Sequence, residues 1–373
     1  MNRAAGIAFN SVQECFAALC YCAHCPPRRK LILCAKRPAS RRSATAGKIR
    51  IGISGWRYKP WRGVFYPPKL PQRNELNFAA ETFSTLEING TFYSLQRPAN
   101  FETWSSQTPA DFQFAVKGSR YITHLLRLRD LGNALANFFA SGVLLLGKKL
   151  GPFLWQLPPN FRFDAERIEN FLNGLPRDAG AAKQLAKGHD KWMRGQAAYQ
   201  VADSGYKLRH AMEIRHESFV VPEFLELLRR QDVAIVCADT VEWPKITDVT
   251  SDFVYCRLHG SQQLYVSGYD AKALDQWAEW VCAWANGSQP ATGSVLKKPA
   301  GKRHRDVYVY FDNDAKVRAP FDAQELQKRV MPQSGARVTR ESKTEPISRS
   351  ASARNSGTPR TGPRERIRSN RSG

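Results

Sequence analysis

Eight short apolar runs, each closed by polar residues, recur between Lys48 and Val330 and impose the strongest constraint on the fold. They occupy residues 48–54, 85–89, 112–117, 152–157, 211–215, 233–239, 253–259 and 307–312. Helical pattern separates most of them. In residues 222–231, for example, Phe224, Leu225, Leu227 and Leu228 share one face, and Pro222 suits a first helical turn. Strand–helix alternation sustained eight times over about 280 residues is the signature of an α/β fold, a single (β/α)₈ TIM-type barrel. The competing architecture, a doubly wound open sheet, usually places a phosphate-binding glycine turn after its first strand. Gly52-Ile-Ser-Gly-Trp-Arg57 is no such turn. Two segments fit the alternation poorly. Residues 179–208 are polar and read as a helical excursion before the fifth strand. Residues 287–305, rich in Gly, Pro, Lys and Arg, read as a mobile insertion before the eighth.

Outside residues 48–330 the pattern stops, and charge takes over. Residues 1–47 hold eight Lys/Arg and one acid, and residues 331–373 hold ten and three. Each flank therefore carries +7 of the chain's +23, leaving +9 for the 283 residues between. Both flanks read as disordered basic tails, able to meet nucleic acid phosphates without sequence preference. Five of the eight cysteines (Cys15, Cys20, Cys22, Cys25 and Cys34) lie in the first tail. Cys22-Ala-His-Cys25 lacks the second pair that a zinc site requires. Residues 8–23 are apolar, but Gln13 and Glu14 interrupt them and no cleavage site is clear. With no run near the ~20 apolar residues of a membrane span, the reading is a cytoplasmic protein with no membrane partner.

In a barrel, chemistry belongs at the C-terminal ends of the strands, and period-two alternation tells which residues face inward there. Glu87 and Asn89, Glu213 and Arg215, and Arg257 and His259 are each two apart, with apolar residues on the opposite face. Lys117 and Asp239 close the third and sixth runs, and Gln156 lies near the end of the fourth. Buried charges must be paired or face a ligand, so the set is either a site or a self-satisfied ion-pair network. Loop aromatics surround it: Trp56, Tyr58, Trp61, Phe92, Tyr93, Tyr265 and Tyr269. Aromatic faces beside hydrogen-bonding groups suit a sugar ring or a nucleobase.

Ten motifs, in order, are similar to those of the YecE-like proteins, a domain-of-unknown-function family. They include Arg50-Ile-Gly-Ile-Ser-Gly-Trp56, Leu86-Glu-Ile-Asn-Gly-Thr-Phe-Tyr93, Phe114-Ala-Val-Lys-Gly118, Ile122-Thr-His124, Trp155-Gln-Leu-Pro-Pro159, Glu213-Ile-Arg-His-Glu-Ser218, Tyr255-Cys-Arg-Leu-His-Gly260 and Tyr308-Val-Tyr-Phe-Asp-Asn313. The resemblance covers residues 50–330 and implies a TIM barrel. It implies no activity.

From the residues themselves, the expectation is an enzyme using acid–base chemistry on a polar, sugar-like or phosphorylated small molecule. Glu87, Lys117, Glu213 and His259 are the candidate catalytic groups. Lys117, Arg215 and Arg257 would hold an anionic group. Trp56, Asn89, Tyr93, His124, Gln156, Asp239, Tyr269 and Asn313 would complete the ligand site. No cofactor is called for. A divalent-metal variant would draw on Glu213, Asp239, His259 and Asp312, although Arg215 and Arg257 would repel the ion. The alternative is a non-catalytic ligand- or nucleic-acid-binding protein anchored by its tails. Oligomeric state is not encoded in any pattern.

Overall fold

A computed structural model describes residues 46–330 apart from Arg194 and residues 298–300. The tails, their cysteines and the apolar stretch near the start lie outside the described residues. Eight parallel strands close a barrel in sequential order: β1 (Ile49–Ser54), β2 (Thr85–Ile88), β3 (Gln113–Lys117), β4 (Leu150–Gln156), β5 (His210–Glu213), β6 (Ala234–Asp239), β7 (Phe253–Leu258) and β8 (Asp306–Phe311). Each run of the sequence pattern supplies one strand. The described helices are α1 (Glu75–Thr82), α2 (Gly90–Tyr93), α3 (Pro98–Ser106), α4 (Gly132–Ala140), α5 (Ala165–Asn173), α6 (Ala179–Ala186), α7 (Pro222–Arg230), α8 (Ala271–Ala285) and α9 (Ala319–Val330). A π-turn, Tyr121–Leu125, follows β3. Parallel strands require long crossovers, and helices provide them everywhere except between β6 and β7, where residues 240–252 form no helix. Among the described residues no helix is long and apolar enough to cross a membrane.

The barrel interior is a packed core. Ala115, Leu154, Ala211, Ala234, Val236, Phe253, Tyr255, Tyr308 and Tyr310 fill it, and the outward set (Ile51, Ile53, Leu86, Val116, Cys256, Leu258 and others) packs beneath the helices. Tyrosines inside a barrel need polar partners. Tyr310 Oη lies 2.7 Å from Thr85 Oγ1, and Tyr255 donates to Glu87 Oε2 at 2.6 Å. Such bonds tie the apolar layer to the polar one above it.

The two irregular segments are better anchored than their composition implies. Residues 179–208 contain α6, whose N-terminus is capped by Asp178. The stretch 287–297 is not loose: buried Asp248 accepts the backbone N–H groups of Leu296 and Lys297, each at 2.8 Å, and Thr247 N–H donates to Ser294 O. Glycine-rich composition signals absence of core, but a single carboxylate with two backbone donors is enough to pin a loop.

Candidate active site

Strand parity and register place the polar layer at the C-terminal mouth. Ser54 pairs in register with Glu87, Gln156 with Glu213, and Ala238 with Arg257. By parity Ser54, Glu87, Lys117, Gln156, Glu213, Arg257 and Asp312 all face the axis near the strand ends, and the β6 neighbour of Arg257 is the small Ala238. Gly55 turns the chain out of β1 at φ +80°, and a Cβ there would meet Tyr58 Oη at 2.7 Å, so glycine lets the Tyr58 ring close over the strand end.

Arg257 is wholly buried and binds three carboxylates. Its Nη2 donates to Glu87 Oε1 at 2.9 Å and to Asp312 Oδ2 at 2.8 Å, its Nη1 donates to Glu213 Oε2 at 2.8 Å, and its Nε reaches Glu87 Oε2 at 3.2 Å. Ser54 and Tyr255 donate to the two oxygens of Glu87. Gln156 Nε2 and Arg215 Nε both donate to Glu213 Oε1 at 2.9 Å. Burial alone would raise Glu213. Arg257, then Arg215 and His259, outweigh it and hold the carboxyl well below the usual range. Asp312 is depressed in the same way, burial being overcome by Arg257 and His259. His259 is fully buried, its Nδ1 3.1 Å from Asp312 Oδ2 but without a formed hydrogen bond, and its ring meets Trp243 and Tyr265 edge-on.

Around this closed ring stand groups that are not consumed by it. Lys117 is 8% exposed; among the described residues its ammonium makes no hydrogen bond or ion pair, and it lies 4.4 Å from the Phe92 ring centre. Burial, aided by Arg257, pushes it down to about 8 against the pull of Glu87, Asp312 and Glu213. Asp314, half-buried just beyond β8, is pushed up to about 6 by burial and by the neighbouring Asp312. Arg215 stacks 3.8 Å from the Trp243 ring centre. His124 packs edge-on against Phe92, with Nδ1 2.8 Å from Thr123 Oγ1, and is lowered to about 4 by burial, then by Arg215, Lys117 and Arg120.

A cavity of about 340 Å³ opens beside β1 and β2, lined by Trp56, Tyr58, Asn89, Tyr93, Gln96 and Trp104 among others. Asn89 spans cavity and ring: its Nδ2 donates to Ser54 Oγ at 2.9 Å, while its Oδ1 is buried without a partner. Trp56 Nε1 is also buried and unpaired, although the indole packs against Trp104 and Phe114. Tyr93 is exposed at the rim.

Not every candidate converges. Asp239 sits in register with outward-facing Leu258, and it accepts from Trp277 Nε1 at 2.9 Å and Lys245 Nζ at 2.6 Å under α8. That removes it from the mouth and breaks up the metal set of Glu213, Asp239, His259 and Asp312. Among the described residues no group of three or more His, Cys, Asp and Glu is arranged to hold a metal. Asn313 is buried, with Nδ2 donating to Asp322 Oδ2 and Ser267 O, and so clamps α9 to a loop. Tyr269 is buried behind β8, its hydroxyl accepting from Gly260 N–H at 3.1 Å. Conversely, Ser54, Tyr255, Asp314 and Trp243 belong to the mouth and are not among the candidates the sequence singles out. The first two sit two residues before a named loop aromatic and a named arginine, so alternation alone could have found them.

Comparison with known proteins agrees with this architecture. A family described as protein of unknown function DUF72 matches residues 50–346. UPF0759 protein YunF of Bacillus subtilis (strain 168) is 30% identical over 125 residues, 32% of this chain and 43% of that protein. UPF0759 protein YecE of Escherichia coli (strain K12) is 28% identical over 129 residues, 34% and 44% respectively. The chain thus matches less than half the length of these curated relatives. A crystal structure of a DUF72 family protein from Thermotoga maritima MSB8 superposes with a TM-score of 0.58 at 23% identity, covering 75% of this chain and 98% of that one. One from Enterococcus faecalis V583 gives 0.54 at 17%, covering 76% and 95%. Identities this low speak for the fold alone. On the breadth of the family match, this chain belongs to the DUF72 family of YecE-like barrels.

Proposed function

We propose that the mouth of the barrel is the active site of an enzyme that moves protons on a polar small molecule. One observation carries the reading: Asp314, moved up to about 6, and Lys117, moved down to about 8, stand around the same mouth. Between those values Asp314 is ionised and Lys117 protonated, the states required of a general base and of a group that stabilises developing negative charge. Glu87 and Glu213 are poor candidates for that work. Both are fully buried with their oxygens engaged, so in our reading they hold Arg257 and Arg215 rigidly in place. His259 belongs to the same frame. The aromatic cavity, with an unpaired indole N–H and an unpaired amide oxygen, suits the ring of the substrate; about 300–1,000 Å³ is usual for small-molecule sites.

The test is a metabolite screen followed by a pH profile. Turnover should be bell-shaped with limbs near 6 and 8, Asp314→Asn should abolish the acid limb, and Lys117→Arg should displace the alkaline one upward. A profile flat from pH 5 to 9 would defeat the assignment.

A further inference from the structure

Three cations, Lys117, Arg120 and Arg215, come from the β3–β5 side of the mouth, and among the described residues only Arg215 has a carboxylate partner, Glu213. Lys117 comes from the end of β3 and Arg120 from the start of the π-turn that follows it. Arg215 comes from the end of β5. His124 lies among them, against the same Phe92 ring that Lys117 faces. The nearby acids are already committed. Glu213 accepts from Gln156, Arg215 and Arg257, and Glu87 and Asp312 are bound to Arg257. Arg215 gives Nε to Glu213 and only a long 3.4 Å contact from Nη2 to Tyr265 Oη, and its Nη1 has no partner among the described residues. The Lys117 ammonium is likewise unpaired. At His124 burial first, and then Arg215, Lys117 and Arg120 against Glu213, disfavour the protonated ring, so the imidazole adds no positive charge of its own while the cations beside it favour an anion.

We infer that Lys117, Arg120, His124 and Arg215 form a subsite for a phosphoryl group of the ligand. The inference rests on the active-site reading above and names the charge that Lys117 faces there. A dianion answers three cations on one side of the mouth better than a carboxylate does, and Arg215, stacked on Trp243, offers a guanidinium edge to its oxygens. The aromatic cavity beside β1 then takes the remainder of the molecule.

Titration calorimetry of the full chain with inorganic phosphate at pH 7 tests this, with acetate as the carboxylate control. Wild type should show a saturable site, weakened about tenfold or more in Lys117→Met and in Arg120→Ala, with acetate binding far more weakly. Phosphate should also raise the pKa of the His124 imidazole followed by NMR, a response that basic segments elsewhere in the chain cannot produce. Equal phosphate affinity in wild type and both variants, no saturable binding up to tens of millimolar, or acetate matching phosphate would each overturn the subsite. None of those results touches the Asp314 limb of the pH profile, so this inference and the active-site reading fail separately.

Discussion

Arg257 and Lys117 show how two buried cations, four strands apart around the barrel, come to opposite ends. Arg257 meets three carboxylates and stays charged; Lys117 meets none directly and is driven toward neutrality. Removing one partner from a buried pair leaves an uncompensated charge, so Glu213→Gln should destabilise the fold by about 3–5 kcal/mol, seen in denaturant melts. Because the Glu213 value is depressed, its contribution is present above the ordinary carboxylate range and is lost as pH falls through the lower folded value. The cost of the substitution should therefore shrink in strong acid. Lys117 has the opposite consequence. Its folded value of about 8 lies below the ordinary 10.5, so the protonated form strains the fold at neutral pH and the strain is relieved as pH rises. Lys117→Met should raise stability at pH 7 by up to about 3 kcal/mol. The gain should fade above pH 10, and a variant less stable than wild type at pH 7 would show that the ammonium is held by an attraction that outweighs its desolvation.

At the scale of elements, alternation located the strands and the inward faces of β2, β5 and β7 because each has a polar face and an apolar one. It misled at β6 for a physical reason. A strand covered on both sides is apolar on both faces, so Ala234, Val236 and Ala238 inside cannot be told from Ile235 and Cys237 outside, and the parity of Asp239 carries no label. Asn313 suffers likewise after β8, where Tyr308 and Tyr310 fill the inside. Asp314 and Trp243 lie beyond the strand ends, where periodicity no longer applies and only packing decides direction. The same limit explains the stretch before β8, whose composition hid its attachment to Asp248. Asp248→Ala should free that attachment, and trypsin should then cut at Lys297 markedly faster while the barrel core stays intact. Unchanged cleavage would mean that Thr247 and Arg229, which donates to Lys297 O, suffice alone.

For the whole molecule, charge is distributed in a way the barrel does not require. The two flanks contribute +7 each, outside the described residues, whereas residues 48–330 carry +9 spread over a far longer stretch. We propose that the flanks bind phosphate backbones and that residues 48–330 fold without them. A chain trimmed to 48–330 should then keep its melting midpoint and lose most of its retention of duplex DNA at low salt, while the full chain should release DNA steeply as salt rises, since each neutralised phosphate frees counterions. The family match continues to residue 346, sixteen residues past Val330, which makes a second end point informative. If trimming at 330 lowers the midpoint and trimming at 346 does not, the domain ends at 346, and residues 331–346 pack against the barrel. If the two trimmed forms melt alike and both still retain DNA as the full chain does, the flanks are not the nucleic-acid binders, and the basic mouth around Lys117 and Arg215 becomes the place where the phosphates are held.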